Sequence, residues 1–128
     1  ELRRAARILG GALLLLWGVL VVDAVLFAGA LRDLGVVPRT IAGLRGILLM
    51  PFLQAGPAHL LANSLGIVLV GTLVLFREER FFWAVTAIGA LVGGLGTWLF
   101  GRPSVHIGAS GVLFAYLGYL LLAGVFER

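Results

Sequence analysis

The stretch Gly108-Ala109-Ser110-Gly111, continued by Val112-Leu113-Phe114-Ala115-Tyr116-Leu117-Gly118-Tyr119, carries a polar loop into an apolar run that lasts to Phe126. It puts a serine where a membrane helix begins. The first backbone N–H groups of a helix lack partners, and the helix dipole is positive there, so negative charge developing beside Ser110 is favoured. Serine is also an ordinary N-cap residue, and from these four residues alone both readings stand. Gly108 and Gly111 remove side-chain bulk on either side of the hydroxyl.

The rest of the chain says which solvent that helix meets. Of its 128 residues 61% are hydrophobic, against roughly 45–50% in a soluble domain, and the mean hydropathy is +1.10. Four apolar stretches, about 8–31, 59–76, 81–100 and 110–126, are long enough to cross about 30 Å of hydrocarbon. The expected fold is all-α, a polytopic membrane protein with four transmembrane helices forming a single domain over residues 1–128. The first stretch is too long for a signal peptide and contains Asp23. Asp23 is expected to hydrogen-bond a neighbouring helix or to reach toward the surface.

All ten basic residues are arginines, and their placement fits membrane topology rather than nucleic-acid binding. If the helices alternate, Arg3, Arg4, Arg7, Arg77, Arg80 and Arg128 share one side, and Arg32, Arg39, Arg45 and Arg102 the other. The positive-inside rule then places the N-terminus in the cytoplasm. With no cysteine, disulfides, thiolate metal sites and a cysteine nucleophile are excluded within the chain. It begins at Glu1 and stops at Glu127-Arg128 directly after an apolar helix, so it reads as a piece of a longer protein.

The longest connection runs from Arg32 to about Ala58 and holds a short apolar run, Ile47 to Leu53, interrupted by Pro51. That run is too short to span and is expected at the interface, packed on the helices rather than facing lipid. Arg77-Glu78-Glu79-Arg80 is a tight charged turn, and Phe81, Phe82 and Trp83 suit an interfacial aromatic belt. Gly89-Ala90-Leu91-Val92-Gly93-Gly94 with Gly96 gives the third helix a smooth face for helix packing. The third loop, Gly101 to Ile107, lies on the same side as the long one and brings Ser110 to the side of His59.

His59 and Asn63 are spaced i, i+4, on one face at the outer end of the second helix. They could simply bond loop backbone, but intramembrane polar residues are costly and are functional candidates by default.

Together, His59-Leu60-Leu61-Ala62-Asn63 and Gly108-Ala109-Ser110-Gly111 resemble the rhomboid intramembrane serine proteases. That family has a His-x-x-x-Asn on its second helix, a Gly-x-Ser-Gly at the start of its fourth, and an activating histidine on its sixth. The resemblance covers nearly the whole chain. It implies that Ser110 is the nucleophile, that its own N–H with the side chains of His59 and Asn63 binds the oxyanion, and that Gly108 keeps the oxyanion hole open. It also implies that Gly111 supports the site and that Phe114 packs on the catalytic histidine. The long first loop would be the family's lateral, membrane-embedded element.

Two departures accompany the match. Gln54 stands five residues before His59, where family members often carry a further histidine; an effect on stability rather than on chemistry is expected. No fifth or sixth helix is present, so the general base is expected beyond residue 128, because a serine without a base is a poor nucleophile. His106 and His59 are the alternatives within the chain; the spacing of His106 from Ser110 does not imply the needed geometry, and His59 as base would be lost to the oxyanion.

The resemblance implies an integral membrane hydrolase that cuts transmembrane-protein substrates on the outer face, and the arginine-only composition, rich in alanine, glycine and leucine, points to a bacterial inner membrane. A polar cavity lined by His59, Asn63, His106 and Ser110 is expected there. Its partners would be the lipid bilayer and those substrates, with no nucleic acid; no cofactor is implied, and two distant histidines hold no metal. An inactive rhomboid-like binder of transmembrane helices is the alternative. A channel would need polar residues along a continuous path, whereas the polar groups cluster at one end.

Overall fold

The computed structural model describes residues 1–126 and contains no β-strand among them. Five α-helices follow in order: α1 Leu2–Leu26, α2 Gly46–Leu49, α3 Pro57–Arg77, α4 Glu79–Phe100 and α5 Ser110–Phe126, with 3-10 turns at Ala30–Leu34, Ala42–Arg45 and Met50–Phe52. The helical membrane bundle expected from the sequence is present. By length and composition α1, α3 and α4 can each cross a bilayer, while α5, apolar throughout, is 17 residues as described. Arg128, counted among the charges above, lies outside the described residues.

The first helix begins and ends earlier than the apolar run suggests, and Asp23 is central to its end. Its carbonyl accepts the N–H groups of Phe27 and Gly29. Ala28 and Gly29 then take positive φ, 52° and 84°. The Asp23 carboxylate accepts the Leu31 N–H at 2.9 Å and lies 3.9 Å from the Arg32 guanidinium. Asp23 therefore satisfies the loop that follows its own helix, and not a neighbouring helix or the surface. Hydropathy could not reveal this, because residues 24–31 remain mostly apolar while the backbone reverses.

At one end of the bundle the Arg4 guanidinium bonds both carboxylate oxygens of Glu79, joining the start of α1 to the α3–α4 turn. At the other end Val36 pairs with His106 through two backbone hydrogen bonds of 2.9 and 2.8 Å, joining the long loop to the α4–α5 loop. The two ties match helices that alternate in direction. The long loop also binds the end of α4: the Arg39 N–H and guanidinium donate to the carbonyls of Trp98 and Leu99, and the Trp98 indole donates to Thr40 O at 2.7 Å. The two Arg39 bonds take up carbonyls that the end of α4 leaves unpaired.

Buried Leu9, Leu16, Leu60, Ile67, Val74, Phe82, Val112 and Tyr116 form the core, while Leu14, Leu65, Leu69, Ile88 and Leu121 face outward, as lipid-facing positions should. Phe82 leaves the expected aromatic belt and turns inward to stack on Tyr116, whose hydroxyl meets Thr86. Trp17 donates to the Ser64 hydroxyl at 3.0 Å, linking α1 to α3. Such polar ties and close approaches of small residues replace the hydrophobic drive that lipid cannot supply. The short apolar run packs in part, through Ile47, Met50 and Leu53, while Leu48, Leu49 and Phe52 remain exposed.

The smooth face of α4 is used at two points. A Cβ on Gly89 would sit 2.5 Å from Ala115 Cβ of α5, and one on Gly94 would sit 3.0 Å from Ile47 Cα, whereas Gly93 and Gly96 have open space. Gly89→Val should accordingly destabilise by about 1–3 kcal/mol through overpacking, lowering the thermal unfolding midpoint in detergent. Gly93→Ala should leave it unchanged or slightly raised, since alanine is the better helix former.

Candidate active site

Three elements meet at the loop-rich end. The first is the start of α3, where Gly56 precedes Pro57 at the first helical position and Leu60 N–H bonds Gly56 O. A proline there gives up only an N–H that the helix would not use. His59 and Asn63 project from this first stretch toward α5. The second element is the loop segment Pro51–Ala55, and the third is the entry into α5, from Gly108 to Ser110.

The state of the His59 ring follows from one bond. Its Nδ1 accepts the Ala55 backbone N–H at 3.0 Å, so in the neutral ring the proton sits on Nε2, which becomes a donor. Asn63 Nδ2 lies 3.5 Å from that Nε2. Two donors cannot bond each other, and an acceptor placed between them would satisfy both. That is the arrangement an oxyanion requires.

The orientation of the Asn63 amide is likewise set by its neighbours. Gln54 Nε2 donates to Pro51 O at 3.1 Å, which turns its Oε1 toward Asn63, and Asn63 Nδ2 donates to that oxygen at 2.8 Å. Asn63 Oδ1 then faces Ser110, whose Oγ donates to it across 3.4 Å. Asn63 and Gln54 are 6% and 3% exposed, and both are satisfied, as buried amides must be. The Ser110 hydroxyl thus bonds a side chain of α3, and Ser110 is the first residue of α5, not an N-cap outside it. The Ala109 carbonyl takes the N–H groups of Val112 and Leu113.

Gly108 has φ +116°, and its N–H donates to Met50 O at 2.9 Å. A Cβ there would lie 2.9 Å from His59 Cε1 and 3.2 Å from Nε2, so the room freed by this glycine is where the imidazole sits. It makes space for the ring, a more specific demand than keeping a hole open. Gly111 faces open space, and Phe114 is 71% exposed on α5.

His106 is not drawn to Ser110. Its backbone is paired with Val36, and its Nε2 meets the Arg102 carbonyl at 2.9 Å. The cluster at Ser110 therefore consists of His59, Asn63, Gln54 and Gly108. Gln54 is the member whose contact with Asn63 the sequence reading missed; its spacing of five residues from His59 was the available signal. A separate apolar cavity of about 650 Å³ lies among α1, α4, α5 and the short loop helices, lined by residues such as Leu16, Phe52, Trp83 and Tyr116. It contains none of His59, Asn63 or Ser110.

These features define a helical membrane protein with a serine-centred polar site at one end of its bundle. The sequence profile of the Rhomboid domain matches residues 42–128, and the chain belongs to the rhomboid family. An uncharacterized protein of Mycobacterium tuberculosis is 44% identical over 101 residues, covering 73% of this chain and 42% of the relative. One from Mycobacterium leprae is 41% identical over 90 residues, covering 65% and 36%. RHOMBOID-like protein 1 of Arabidopsis thaliana is 34% identical over 74 residues, covering 55% of this chain and 18% of the relative. The chain thus spans less than half the length of each of these relatives. No solved structure matches it.

Proposed function

We propose that this chain is part of an intramembrane serine protease that hydrolyses peptide bonds in or near transmembrane segments of its substrates. The observation that carries the proposal is the pair of donors on His59 and Asn63 beside the Ser110 hydroxyl. Ser110 Oγ attacks the scissile carbonyl carbon, and its proton passes to a histidine supplied outside residues 1–128, where the resemblance places it on a sixth helix. The carbonyl oxygen becomes an oxyanion received by His59 Nε2–H, Asn63 Nδ2–H and the Ser110 N–H. Collapse breaks the C–N bond, the amine leaves with the histidine's proton, and water releases the acyl group from Ser110.

The site sits at the end of the bundle opposite the Arg4–Glu79 tie. The arginine bias, read as positive-inside, supports a cytoplasmic N-terminus, and with it our reading puts the site toward the outer face of a bacterial plasma membrane. The test is cleavage of a single-span substrate reconstituted with the full-length protein in liposomes. Cleaved fragments support the protease, and stable co-purification of an uncut substrate supports an inactive binder instead.

A further inference from the structure

We infer that Gln54 is a positioning residue for the oxyanion site: it fixes the orientation of the Asn63 amide. An asparagine amide can present either its oxygen or its NH2 group to a given side, and the two orientations differ only in hydrogen bonding. Here Gln54 decides between them. Its own orientation is set by donation to Pro51 O at 3.1 Å, so an acceptor oxygen faces Asn63, 2.8 Å from Nδ2. With Nδ2 drawn to that side, the amide nitrogen lies beside His59 Nε2, and Oδ1 is left to receive the Ser110 hydroxyl. The reversed amide would point oxygen at oxygen toward Gln54 and place an acceptor beside the His59 donor, closing the donor pair to an oxyanion. Gln54 is 3% exposed, so water does not readily replace it. The chain Pro51 O, Gln54, Asn63, Ser110 makes the loop before α3 part of the reaction geometry, beyond the effect on stability expected from its place in the sequence.

This inference rests on the protease reading, and its test separates the two. In the full-length protein, cleavage of the transmembrane substrate is measured for wild type, Ser110→Ala, Gln54→Met, Gln54→Glu, Asn63→Ala and the double variant Gln54→Met/Asn63→Ala. A difference between wild type and Ser110→Ala upholds the protease reading whatever Gln54 does. Gln54→Met, close in size but unable to accept, should lower kcat about tenfold with KM unchanged. Gln54→Glu, whose carboxyl its burial keeps protonated, can donate to Pro51 O and present its other oxygen to Asn63, and should retain kcat within about threefold. In the Asn63→Ala background the Met substitution should change kcat by less than about twofold, because the group it positions is gone. The inference is overturned if Gln54→Met keeps wild-type kcat, if Gln54→Glu loses as much as Gln54→Met, or if Gln54→Met costs the same factor in both backgrounds. The last result would mark a purely structural residue. Should Gln54→Met fail to fold, the Glu variant decides alone: retained kcat supports the role, and a tenfold loss in a folded protein contradicts it.

Discussion

Ser110→Ala in the full-length protein should lower kcat for cleavage of a transmembrane substrate by at least about 10⁴-fold, because removing a serine nucleophile disables the covalent route and leaves only the stabilisation supplied by the rest of the site. The substitution removes one oxygen whose partner is Asn63 Oδ1 at 3.4 Å. Its loss leaves the buried Asn63 Oδ1 without that bond, a cost of about 1 kcal/mol, so the thermal midpoint should fall by a few degrees while the protein stays folded. Substrate affinity should also persist. Loss of turnover with folding and binding retained is the pattern that separates a nucleophile from a helix-start residue. An N-cap role would instead appear as about 1 kcal/mol of lost stability with turnover intact in the folded fraction.

Ser110 stands out in the sequence because a motif and a solvent change coincide there: Gly108 and Gly111 flank a serine at the point where loop becomes apolar helix. Bundle architecture was legible for a similar reason, since apolar runs of about 20 residues have few alternatives in a bilayer. What hydropathy could not supply was any feature decided by a single polar contact. Asp23 ends α1 by bonding the Leu31 N–H, Phe82 leaves the interface to stack on Tyr116, and His106 is spent on Val36 and Arg102. The pairing of His59 with Asn63 was visible as an i, i+4 spacing, but the tautomer of His59 and the orientation of Asn63 come from Ala55 and Gln54. Those residues are loop positions whose conformation no periodicity encodes. Gly108 illustrates the same limit, since its smallness was evident in the motif while the imidazole it accommodates was not.

The second large effect concerns His59. His59→Ala should reduce kcat about 10²–10³-fold, the usual consequence of deleting one oxyanion donor, with KM changed little because the donor acts on charge that develops only in the transition state. The loss should exceed that of Gln54→Met, which disturbs Asn63 only through its orientation. Two further consequences follow from the Ala55 N–H donating to Nδ1. His59→Ala leaves that N–H without its partner, so a stability loss of about 1 kcal/mol should accompany the kinetic one. His59→Gln can accept from Ala55 through its amide oxygen and offer an N–H to the site, and should recover part of both. Full activity in folded His59→Ala would remove this residue from the mechanism.

Fluorophosphonates react with activated serines, so treating the full-length protein in membranes with one and locating the adduct by mass spectrometry decides whether Ser110 is an activated nucleophile facing an oxyanion site. A phosphonyl group is expected on the peptide containing Ser110, absent in Ser110→Ala and formed more slowly in His59→Ala. An unmodified Ser110 in folded, full-length protein, under conditions that label a serine hydrolase control, would contradict the nucleophile role and favour a rhomboid-family protein that binds membrane helices without cutting them.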